Sequence, residues 1–111
     1  MTAYAIAHMR QVTLGQPIFE YLARIDETLR PFQGRFLIHG AQVQVIEGSW
    51  PGTVIVIEFP DRQHARAWYE SPAYQAILRL RTENSESAVV FVDGVPQGYR
   101  ATDTLKKLTG Q

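Results

Sequence analysis

The chain has no cysteine, which excludes a disulfide framework and thiolate catalysis. It has no excess charge of either sign: Lys and Arg number 11, and so do Asp and Glu. Without a basic surplus it offers a phosphate backbone no electrostatic footprint and a membrane no polybasic anchor. Nucleic-acid and membrane partners are therefore not expected. Its apolar runs fall far short of the roughly 20 residues that span a bilayer. Catalytic signatures are missing as well. There is no Gly-rich phosphate loop, no G-x-S-x-G elbow and no H-E-x-x-H. The three histidines, His8, His39 and His64, lack metal-ligand spacing, and neither cysteine nor carboxylate stands beside His8 or His39. No metal and no cofactor are expected. The sequence opens directly on a strand-like stretch without a leader pattern, so cytoplasmic residence is the expectation.

What is present amounts to one domain. The 111 residues can bury a core, but a small one that self-association would help. Tyr4 to Met9 alternates: Tyr4, Ile6 and His8 on one face, Ala5, Ala7 and Met9 on the other. The small residues suit close packing of a helix. Pro17 is a plausible first helical residue, and Ile18, Leu22, Ile25 and Leu29 form an apolar stripe that Pro31 ends. A long strand is expected from Arg35 to Ile46, with a bulge at Gly40. The turn residues Glu47 to Gly52 lead into Thr53–Phe59, apolar enough for a buried central strand. Pro60 stops it and Asp61 caps a helix. Ser71-Pro72 restarts that helix, with Ala73, Ala76, Ile77 and Leu80 as its stripe. After a polar loop from Thr82 to Ser87, Ala88–Val92 reads as the last strand. Residues 1–94 are thus a β-α-β-β-α-β domain of ferredoxin-like, α+β type. Residues 95–111 are a tail, with one or two helical turns around Thr104 to Leu108.

Helices on one face of an antiparallel sheet leave the other face to be covered. Val54 and Val56 make that other face apolar, so a C2 homodimer with sheets face to face is expected.

Four segments in order carry a resemblance: Gly34 to Leu37, Glu47 to Trp50, Val56 to Pro60, and Ala67 to Gln75. Over about Tyr4 to Gly94 the chain resembles the uncharacterised family called domain of unknown function 1330, of the dimeric α+β barrel superfamily. The resemblance implies a ferredoxin-like fold and a barrel-forming dimer, and no settled activity. Relatives in the wider superfamily include cofactor-free monooxygenases, haem-degrading enzymes, muconolactone isomerase and ligand-sensing domains.

Two catalytic candidates follow. Glu58 ends an otherwise apolar strand, where desolvation would raise its pKa toward that of a general base. Pairing with Arg35 or with the dimer partner is the alternative. His8 could exchange a hydrogen bond with a bound carbonyl or phenol, or simply bind a backbone carbonyl. Arg35 could clamp a substrate carboxylate or neutralise Glu58, and His39 shares its strand face. Trp50, in a turn, suits a lid or interface. Tyr69 could turn its hydroxyl to a ligand at the helix junction, whereas Trp68 belongs in the core. Two function classes follow. One is a cofactor-independent enzyme, monooxygenase- or isomerase-like, acting on a small aromatic or carbonyl metabolite in an apolar pocket. The other is a non-catalytic ligand-binding or structural homodimer.

Overall fold

A computed structural model describes residues 1–110. Four strands, β1 (Ala3–Val12), β2 (Arg35–Ile38), β3 (Thr53–Phe59) and β4 (Ser85–Asp93), form one antiparallel sheet in the order β2-β3-β1-β4. Helices α1 (Gln16–Leu29), α2 (Arg62–Glu70) and α3 (Pro72–Thr82) complete the α+β ferredoxin-like domain, and α4 (Ala101–Thr109) follows it. No helix among the described residues is long and apolar enough to cross a membrane.

Local chemistry sets the helix ends. Asp61 accepts from the His64 backbone N–H at the start of α2. Ser71 ends α2 and caps α3, its Oγ donating to the Trp68 carbonyl and accepting from the Tyr74 N–H. The core lies between one sheet face and the helices. Ala5, Ile57 and Phe59 meet Tyr21, Ile25 and Leu29 of α1, Trp68 of α2, and Tyr74 and Ile77 of α3. The small alanines of β1 do face the helices: Ala3 and Ala5 are buried there.

Register defines the opposite face. Ile38, Val56, Ile6 and Val90 form one row across the four strands, and Arg35, Glu58, Tyr4 and Val92 form the next. Among the described residues no helix packs over these rows, and Val90 is 51% exposed.

Four expectations need correction. The second strand stops at Ile38 rather than Ile46. It pairs antiparallel with β3, Ile38 opposite Val56, and β3 begins at Thr53. In that register Ala41 is the last residue with a partner to reach, so the alternation through Gln42–Ile46 has no ladder to join. The fourth strand starts earlier, at Ser85, because Ser85 and Ser87 pair with Val12 and Met9 of β1. The buried stripe of α1 runs through Ile18, Tyr21, Ile25 and Leu29, and Leu22 is exposed. That of α3 runs through Tyr74, Ile77 and Arg81, and Ala73 and Ala76 are exposed. In both helices an aromatic carries the apolar face where a smaller residue was expected to do so.

Candidate ligand cavity

A cavity of about 220 Å³ opens between the sheet and the helices. Its floor is the small-residue face of β1 (Ala5, Ala7, Met9) with Ile55 and Ile57 of β3. Short side chains on the central strand leave the space that α1 and α3 roof over. Most of the wall is apolar, and the polar groups gather at Tyr21, Tyr74 and Arg81, with His39 and Tyr69 also on the wall.

Two helices bring this cluster together. Tyr21 of α1 and Tyr74 of α3 join their hydroxyls at 2.6 Å, buried, with rings edge to face. Arg81, on the buried face of α3 and 7% exposed, stands beside both tyrosines. Its Nη1 donates to Ser87 Oγ at 2.8 Å. Burial foremost, then the neighbouring Tyr74 oxygen, pushes the Tyr21 phenol far above its ordinary range, so it stays neutral. Burial opposes the charge of Arg81, but the tyrosine oxygens outweigh it and raise the guanidinium further. Trp68 packs over Tyr74 with ring centroids 4.1 Å apart and satisfies its indole N–H on Thr28.

The raised Tyr21 pKa has a measurable consequence. An unfolded tyrosine ionises near pH 10, while folded Tyr21 keeps its proton. Its contribution is therefore whole below about pH 10 and is lost as pH climbs past it, by at most about 1.4 kcal/mol per pH unit. Urea unfolding between pH 9 and 11.5 should show this slope in the native protein and a shallower one in Tyr21→Phe. Equal slopes would assign the alkaline loss to other groups.

The sequence candidates fall into two sets. His39 and Tyr69 line the cavity, His39 stacked on Phe36 at 4.4 Å. The other four lie away from the cavity wall. Glu58 and Arg35 meet on the uncovered sheet face, Arg35 Nε donating to Glu58 Oε1 at 2.7 Å. His8, on the same face, donates from Nε2 to the Pro51 carbonyl and stacks on Trp50 at 4.0 Å. Glu58 thus has a counter-charge rather than a desolvated, unpaired carboxylate, and His8 takes its backbone-bonded alternative. Two central residues of the cavity, Tyr21 and Arg81, were not among the candidates. The legible signal was Arg81 itself, a charge four residues after Ile77 on the buried stripe of α3.

Residues 2–95 match the model of a family described as domain of unknown function (DUF1330). The chain belongs to this family. No curated protein matches it. Among solved structures, this DUF1330 chain is similar to RPA0582, a protein of unknown function from Rhodopseudomonas palustris. The TM-score is 0.67 at 11% identity, covering 86% of this chain and 83% of that one. A dimeric ferredoxin-like protein of unknown function from Jannaschia sp. CCS1 superposes with a TM-score of 0.65 at 13% identity, over 85% and 100% of the two chains. SnoaB, a cofactor-independent oxygenase from Streptomyces nogalater, gives 0.56 at 13% identity, over 89% and 97%. At these identities the likeness is one of fold. It places the DUF1330 chain in the ferredoxin-like α+β class.

Proposed function

We propose that this protein is a homodimeric, cofactor-independent enzyme that binds a small aromatic or carbonyl compound in the cavity between sheet and helices. The carrying observation is the buried Tyr21–Tyr74–Arg81 cluster set into an otherwise apolar wall. Apolar walls with a few convergent polar groups are the usual form of a small-molecule site. A positive charge and hydroxyl donors in a water-poor space stabilise an enolate or phenolate oxygen far better than water does. His39 supplies an imidazole on the same wall to take the proton. That a ferredoxin-like relative, SnoaB, works as an oxygenase without a cofactor agrees with this chemistry. The uncovered sheet face, with its paired Arg35 and Glu58, serves the dimer contact, as the dimeric state of the Jannaschia protein suggests.

Deuterium exchange at the acidic carbon of 1-phenyl-1,3-butanedione tests the reading, with quenching of tryptophan fluorescence as the measure of binding. Exchange should exceed the buffer rate, and His39→Ala should lower the protein-dependent part by about 100-fold or more. Binding with no acceleration over buffer would leave the non-catalytic ligand-binding dimer as the better account.

A further inference from the structure

Arg81 differs from the arginines of the chain that pair with carboxylates. Arg24, Arg30, Arg35, Arg62, Arg66 and Arg79 each lie within 4 Å of a carboxylate, and all have half or more of their side chain exposed. Arg81 is 7% exposed, and no carboxylate pairs with it among the described residues. Buried charges are ordinarily paired, because leaving one without a counter-charge is costly.

The hydrogen-bond inventory around it is unbalanced in one direction. A guanidinium has five N–H donors and no acceptor, and each tyrosine adds one donor. Only one hydrogen can lie between the Tyr21 and Tyr74 oxygens, which leaves the other hydroxyl hydrogen to point elsewhere. Ser87 is already committed. It accepts from Arg81, and because Ser85 donates to the Arg81 carbonyl, the hydrogen between the two serines comes from Ser87. Among the described residues the acceptors facing Arg81 are the Tyr21 and Tyr74 oxygens and Ser87 Oγ, fewer than the five N–H donors of the guanidinium.

The space around Arg81 agrees with this. A second cavity, of about 230 Å³, lies against it, lined by Tyr69, Arg81, Thr82, Ser85, Ser87 and Val89. Tyr69, Arg81 and Val89 are walls of both cavities. Arg81 therefore stands where an apolar space meets one edged with hydroxyls.

We propose that the ligand is an anion, a small carboxylic acid whose apolar body fills the first cavity and whose carboxylate bonds to Arg81 and the free tyrosine hydroxyl. This rests on the cavity being the ligand site, and goes beyond it by giving the ligand's charge and headgroup. Guanidinium and carboxylate match two N–H donors to two oxygens, and the pair forms where water competes little.

Calorimetric titration with phenylacetate and with its neutral isostere phenylacetamide at pH 7.5 provides the test. Phenylacetate should bind at least tenfold tighter. Arg81→Met should bring the two within about threefold while keeping phenylacetamide binding. Should the loss of buried Arg81 unfold this variant, the comparison of the two ligands on the native protein decides alone. Equal affinities, or tighter binding of the amide, would overturn the anion while leaving the cavity as the ligand site. Failure of both compounds to bind, with no protection of Trp68 fluorescence from quenching by acrylamide, would overturn both.

Discussion

Gly52→Ala should destabilise the protein by about 3 kcal/mol or more, which urea unfolding would measure directly. Two effects combine at this residue. Its backbone has φ of 86°, a region that residues with a Cβ enter only with strain. A Cβ built there would lie 1.8 Å from the Met9 carbonyl oxygen and 2.8 Å from that of Arg10. These obstacles are backbone atoms of the central strand, at the bulge where the β1–β4 register shifts between Met9 and Gln11, so no side-chain rotation relieves them. Gly48 is the internal control. Its φ of 80° is similar, but nothing lies within 4 Å of its added Cβ. Gly48→Ala should therefore cost only the conformational strain, about 1–2 kcal/mol. Equal losses at the two positions would mean that the turn at Gly52 shifts away from β1 freely. The contact matters to the sheet because Pro51 and Gly52 hold the start of β3 against β1, the carbonyl of Pro51 accepting from His8.

Val90→Lys should convert the proposed dimer to monomer, raising its dissociation constant by about 100-fold or more, while the chain itself stays folded. Val90 ends the row that runs through Ile38, Val56 and Ile6 on the uncovered sheet face. At 51% exposure in the single chain, it can become lysine at small cost to the fold. In a twofold contact the substitution appears twice and places two ammonium groups in an apolar interface, each losing its hydration. Sedimentation should show the native protein at twice the 12.6 kDa chain mass and the variant at that mass. A native protein already monomeric at micromolar concentration would remove the dimer. A variant still dimeric would move the contact to another surface. The Arg35–Glu58 pair lies in the adjacent row, at its edge. Its role would then be to keep two opposite charges satisfied within each chain as the surrounding apolar residues are covered.

The two tests separate the sheet's two faces. Gly52 acts through the backbone of the central strand, so its loss should appear as lowered stability of each chain. Val90 acts only on what covers the uncovered face, so its loss should appear in mass and leave the Tyr21 alkaline slope unchanged. The candidate cavity lies on the helix face, away from both Val90 and Glu58.

Much of the fold was legible because it rests on short-range rules. The alternation of Tyr4 to Met9, the apolar run Thr53–Phe59, the stop at Pro60 and the caps Asp61 and Ser71 each depend on neighbours a few residues away. Those were enough to assign strands and helices and to sort β1 into two faces, but the burial of Ala3 and Ala5 was needed to show which face meets the helices. Strand ends were a different matter. Gln42–Ile46 alternates as well as any strand here, yet alternation creates only the face, and the ladder needs a neighbour that β3, starting at Thr53, does not provide. Ser85 and Ser87 look like loop residues, yet β1 is long enough to pair them.

The site was hidden for a similar reason. The sequence pointed to titratable groups on strands, and register joined Arg35 to Glu58 while placing them across the sheet from the cavity. The cavity's own polar groups lie on two helices 53 residues apart at Tyr21 and Tyr74, with Arg81 two turns further on. By itself the sequence determined the element order, the family and an apolar sheet face, because periodicity and capping act through a few adjacent residues. Only the tertiary structure decided that two buried tyrosines and an arginine meet, because that meeting depends on how α1 and α3 cross a floor of alanines, a packing relation no local pattern records.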